Sequence, residues 1–129
     1  MSQTIAERLL RAAADGDRET AAAALAADVH FRGLTPRKTP SADDRDGVLQ
    51  IMGNWFEHFA GFEAIEDGTV LDRRSIRYRV RVEDPEEGTL VFEQQAYYDA
   101  DEDTGEITWM HVVCSGMRPL VPAAAPAAA

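Results

Sequence analysis

Residues 75–99 constrain the fold more than any other part of the chain. Ile76, Tyr78, Val80 and Val82 alternate with Arg77, Arg79 and Arg81, the period of two that a half-buried strand requires. Glu83-Asp-Pro-Glu-Glu-Gly88 then supplies a turn, and residues 90–99 return as a second strand. Facing Val82 with Leu90 sets Val80 opposite Phe92, Tyr78 opposite Gln94 and Ile76 opposite Ala96. The same register sets Arg79 opposite Glu93 on the other face, a favourable cross-strand pair. A slip of one residue would place Tyr78 opposite Glu93 and bury a charge. One face of a long antiparallel hairpin therefore needs an apolar cover.

The cover precedes it in the chain. Residues 4–14 carry Ile5, Leu9 and Ala13 on one helical stripe with Leu10 beside it, Ser2 or Thr4 as a cap and Gly16 as a stop. An alanine-rich helix is expected at 18–27. A third is expected at 43–59, with Val48, Ile51, Met52, Trp55, Phe56 and Phe59 at the spacing of a buried face. A short strand at 29–32 separates the second and third helices, and residues 62–72 suggest another strand broken at Asp67-Gly68. Residues 106–118 supply a last strand, with Met110, Val112 and Cys114 inward and Trp109, His111 and Val113 outward. Helices first and a strand meander after them predict an α+β fold. One domain is expected over 2–120, followed by an Ala/Pro-rich tail at 121–129 that cannot fill a core.

Charge narrows the partners. Thirteen Lys and Arg against 23 Asp and Glu give a net charge of −10, which argues against nucleic acid and anionic membranes. Lys38 is the only lysine. The one cysteine, Cys114, cannot form an intrachain disulfide, and neither a signal-peptide core nor a membrane-length apolar run is present. A cytoplasmic location is expected.

The segments Leu25-Ala-Ala-Asp28-Val-His-Phe31, the aromatic third helix, Glu93-Gln-Gln-Ala-Tyr-Tyr98 and Ile107-Thr-Trp-Met-His-Val-Val-Cys-Ser-Gly-Met-Arg-Pro119 carry a resemblance. Over about residues 3–119 the chain resembles the nuclear transport factor 2-like superfamily, SnoaL-like and ketosteroid-isomerase-like, in an uncharacterised actinobacterial-type branch. The resemblance implies a cone: a curved mixed sheet, mostly antiparallel, covered on its concave face by three N-terminal helices. It implies an apolar pocket between helices and sheet, and often a dimer through the outer sheet face. It does not fix a reaction.

The steroid-isomerase mechanism fails residue by residue. Its helix tyrosine falls on Leu9, its aspartate base on Gly33 and its protonated aspartate on Gln94. Leu9 and Gly33 hold no proton. Gln94 keeps a neutral amide where that family places an oxyanion donor.

Pocket residues expected on this basis are Phe31, Met52, Trp55, Phe59, Tyr78, Gln94, Tyr98, Met110 and Cys114. Gln94 and Tyr78 are the sharpest pair, because a buried amide beside a phenol either holds a ligand oxygen or the two groups satisfy each other. The aromatic stripe serves equally as plain core. No catalytic residue is assigned. Asp28 suits a local structural role as well as a pocket acid, and Cys114 lies on an apolar strand with no base evident. His30 and His111 stand apart in sequence and His58 flanks the third helix, so no metal site and no cofactor are expected. Arg73, Arg74, Arg77, Arg79 and Arg81 form a basic stripe expected to pair with Glu93 and acidic loops. With Tyr97 and Trp109 it marks the face of an expected homodimer.

The function expected is a SnoaL-like small-molecule pocket protein. Its chemistry would be isomerase, cyclase or dehydratase on a hydrophobic metabolite, relying on positioning and neutral hydrogen bonds. The alternative is a non-catalytic ligand-binding or dimerisation module.

Overall fold

A computed structural model describes residues 3–120. The tail at 121–129 lies outside the described residues. Helix α1 spans Ile5–Asp15, α2 Arg18–Ala23 and α3 Arg45–Trp55. The strands are β1 Leu25–Leu34, β2 Ser41–Ala42, β3 Phe59–Val70, β4 Arg73–Asp84, β5 Gly88–Ala100, β6 Ile107–Cys114 and β7 Arg118–Pro119. They form one sheet in the order β2-β1-β6-β5-β4-β3, with β7 on β5 beyond the end of β6. All pairings are antiparallel except β1 with β6. Helices on one side of a mostly antiparallel sheet match the expected architecture.

Caps explain where the helices begin. Thr4 Oγ1 accepts from Glu7 N at 3.2 Å and donates to Asp67 on β3 at 2.6 Å, so one side chain caps α1 and ties it to the sheet. Asp44 caps α3 by accepting from Gly47 N at 2.7 Å. Gly16 ends α1 in the left-handed conformation, φ 76.

The central hairpin has the expected register throughout, from Val82↔Leu90 through Tyr78↔Gln94 to Ile76↔Ala96. Leu9, Leu10, Phe31, Met52, Ile76, Val80, Phe92 and Met110 are fully buried between helices and sheet. Each such side chain contributes about 1.5–3 kcal/mol of transfer free energy.

Four expectations are corrected. Helix α2 stops at Ala23, because the Ala24 carbonyl accepts from Ile107 N at 2.9 Å and the chain joins β6 as strand from Leu25. Helix α3 stops at Trp55. His58 turns the chain at φ 63, and Phe59 begins β3 opposite Val82. Asp67-Gly68 does not break β3, which runs to Val70 and pairs with β4 along its length. The last strand is interrupted at 115–117, where Gly116 has φ 83, and resumes as β7.

Candidate functional site: a cleft beside Gln94

The interruption between β6 and β7 opens the sheet next to β5. Ser115 bridges the gap: its N–H donates to the Glu93 carbonyl at 2.8 Å, and its Oγ accepts from Glu93 N at 2.9 Å. Beside it lies a cleft of about 620 Å³. Its apolar walls are Trp55 from α3, Phe92 from β5 and Met117 from the interruption. Gln94 and Cys114 form part of the wall. The loop after β1 closes the other side with Thr35, Pro36, Arg37 and Lys38. That loop is braced by Thr35 N donating to the Lys38 carbonyl at 2.9 Å. Pro36 packs so tightly on Gly116 that a Cβ there would lie 2.7 Å from the proline Cγ.

Gln94 is 3% exposed. Its Oε1 accepts a short hydrogen bond from the Tyr78 hydroxyl. Its Nε2 is buried and has no hydrogen-bond partner. A primary amide offers two N–H donors there, and a buried donor left unpaired costs about 1–3 kcal/mol. Burial, reinforced by the nearby Cys114, pushes the Tyr78 phenol far above its usual pKa. Tyr78 therefore stays neutral and donates, which holds Gln94 by its carbonyl. Cys114 Sγ accepts from Gly116 N at 3.4 Å.

The expected pocket residues separate into groups. Trp55, Gln94 and Cys114 come together on the cleft. Tyr78 reaches it only through Gln94. Phe31, Met52 and Met110 are fully buried in the core, and Tyr98 is 2% exposed. Phe59 stands in an aromatic cluster with Phe56 and Phe62, at centroid separations of 5.9 Å and 5.1 Å. These side chains fill the space between helices and sheet, and the cleft lies beside them. Sequence reasoning missed Phe92 and the two loops. Phe92 was within reach, because it precedes Gln94 by two positions on the same face.

At the position of the steroid-isomerase base, Gly33 is buried, and a Cβ would meet Pro40 Cγ at 3.0 Å and the Trp55 ring at 3.5 Å. No carboxylate fits there. Asp28 is exposed on β1.

The outer face holds a second constellation. His30 and His111, isolated in sequence, meet with their Nε2 atoms 3.1 Å apart because β1 and β6 run side by side. His111 stacks on Trp109 at 3.9 Å, and the Arg73 guanidinium lies over Trp109 at 4.2 Å. Burial first, then His30, Arg32 and Arg73, hold the His111 pKa below its usual value. No cluster of three or more metal-ligating side chains occurs among the described residues.

Of the basic stripe, Arg73, Arg77, Arg79 and Arg81 pair within the chain, with a change of partner, and Arg74 has no ion-pair partner among the described residues. Arg79 stands opposite Glu93 in the backbone register, but its Nε lies 2.9 Å from Glu63. Glu63 is the extra residue of a bulge between Phe62 and Ala64, which delivers it to Arg79. Glu93 pairs instead with Arg118 at 2.8 Å, and Arg77 with Glu66 at 3.2 Å. A second hollow of about 640 Å³ lies among Arg77, Arg79, Glu93, Gln95 and Tyr97, and Tyr78, Gln94 and Cys114 line it as well.

Three helices laid against a curved, unclosed sheet with this strand order define a cystatin-like α+β fold. Solved structures described as NTF2-like and as SnoaL-like share this fold. An uncharacterized protein conserved in bacteria, with a cystatin-like fold, from Silicibacter pomeroyi is 26% identical. The match covers 89% of this chain and 74% of that one, with a TM-score of 0.59. A protein provisionally described as a SnoaL-like polyketide cyclase, from Shewanella denitrificans, aligns at TM-score 0.64 and 13% identity over 86% of this chain and 88% of that one. One provisionally described as an isomerase, from Rhodopseudomonas palustris, aligns at TM-score 0.65 and 13% identity over 88% and 91%. No protein-family model and no curated protein matches the chain. No helix among the described residues is long and apolar enough to cross a membrane.

Proposed function

We propose that the cleft binds a small, largely apolar molecule carrying a carbonyl or hydroxyl oxygen, and that Gln94 orients that oxygen. One observation carries the reading: Gln94, which forms part of the wall of an apolar cleft, has its amide held by Tyr78 and its Nε2 donors buried and unpaired. A ligand oxygen accepting from Nε2 removes that cost. Solved structures of the same fold described provisionally as polyketide cyclases and isomerases support small-molecule chemistry of the isomerase or cyclase class. In such a reaction this chain supplies a fixed neutral donor and a shaped apolar wall. The described residues lining the cleft include neither a carboxylate nor an imidazole. That favours positioning over general acid–base catalysis, and it also supports the second reading, a binding module without turnover.

A thermal-shift screen of apolar ketones, esters and phenols against the wild type and Gln94→Leu tests the proposal. Hits that stabilise the wild type and lose most of that shift in Gln94→Leu support it. Equal shifts in both proteins refute the role of the amide.

We further propose a homodimer through the outer sheet face in a cytoplasmic protein. Arg77, Arg79 and their glutamate partners give that face both signs of charge, which suits pairing with a second copy across a two-fold axis. Tyr97, Trp109 and the 49%-exposed Val113 add apolar area.

A further inference from the structure

Arg37 and Lys38 on the cleft wall have no ion-pair partner among the described residues. Arg8 and Arg74 are the other two basic side chains without one among the described residues, and neither lines the cleft. Most other basic side chains are neutralised at short range, including Arg11, Arg32, Arg77, Arg79 and Arg118. Two adjacent free cations sit instead at the mouth of an apolar cleft. The loop that carries them is braced by the Thr35 turn and by Pro36 packed on Gly116. The cations are therefore delivered to the cleft by ordered backbone.

We infer that the ligand of this cleft is amphipathic and anionic: an apolar body against Trp55 and Phe92, an oxygen on Gln94 Nε2, and a carboxylate at Arg37 and Lys38. This rests on the small-molecule reading above and adds the charge of the ligand. A guanidinium offers a planar carboxylate two parallel hydrogen bonds, and the adjacent ammonium adds a point charge. The surrounding acidic surface repels anions at long range. Retention of an acid therefore depends on these two local cations, and its affinity falls with salt as exposed charges are screened.

Isothermal titration of 2-naphthylacetic acid against its neutral carboxamide tests the inference, extended to a panel of aryl acids and their amides. The acids are expected to bind about tenfold more tightly than their amides, the charge-assisted bonds being the stronger. That preference should vanish in Arg37→Gln/Lys38→Gln and shrink on raising salt from about 20 to 500 mM. The salt titration of the wild type stands even if the double variant fails to fold. Acid and amide binding with equal affinity would overturn the anionic inference and leave the pocket reading intact. Binding of neither member of any pair would overturn both. Inorganic phosphate and acetate serve as competitors. Displacement of the acid by phosphate at micromolar concentration would assign the cations to a phosphate and overturn the carboxylate.

Discussion

Tyr78 donates to Gln94 from the facing strand, so the phenol holds the Gln94 amide by its carbonyl while the amide nitrogen stays buried and unpaired. The two residues face each other because the β4–β5 hairpin sets them in register. Tyr78→Phe should leave Gln94 Oε1 unpaired and cost about 1–3 kcal/mol in stability. It should also free the amide to rotate and weaken ligand binding several-fold. Urea unfolding and calorimetric titration check this. Wild-type stability in the variant would show that the bond contributes nothing.

Gly116→Ala should strain a backbone held at φ 83 and drive a methyl to 2.7 Å from Pro36 Cγ. The expected cost is about 1–3 kcal/mol, with loss of ligand affinity as the loop carrying Arg37 and Lys38 is displaced. Thermal melting and ligand titration measure the two effects. An unchanged melting temperature would contradict the tight packing.

His111 gives a signed pH dependence. Its folded pKa lies below the ordinary value of 6.5. Below about pH 6.5 the unfolded chain thus binds more protons than the folded one, and stability falls as pH drops towards the folded pKa. Above about pH 7.5 this group has no effect. Urea midpoints between about pH 5 and 8 should decline more steeply on acidification in the wild type than in His111→Gln. Parallel curves would contradict the depressed pKa.

The outer face should hold two copies together. Light scattering at micromolar concentration should give the mass of a dimer, and Tyr97→Glu with Val113→Glu should give a monomer. A monomeric wild type would remove the interface.

The central hairpin was legible because its first strand alternates without fault from Ile76 to Val82 and its second keeps Leu90, Phe92, Gln94, Ala96 and Tyr98 on one face, with Val91 and Tyr97 as apolar residues on the other. Strand β3 was not. Its inward residues Phe59, Phe62 and Ile65 are spaced by three, because bulges after Phe59 and Phe62 each insert a residue. A period of three resembles neither strand nor helix cleanly. Residues 24–27 were read as helix from their alanines, but pairing with β6 overrides that weak propensity. The meeting of His30 with His111 depends on parallel pairing between strands far apart in sequence, which no local pattern encodes. At the site, the inward face of β5 identified Gln94. The cleft beside it depends on an interruption at Gly116 and on a loop packed across it, and both are tertiary features.

The most direct measurement follows the Gln94 side-chain amide by ¹⁵N-resolved NMR as an apolar carbonyl ligand is added, with Gln94→Leu assigning the signals. The account predicts that the Nε2 protons shift downfield and become protected from solvent exchange, together with a shift of the Trp55 indole. Binding that moves only outer-face residues, such as Trp109 and Tyr97, while the Gln94 amide stays unchanged would contradict it.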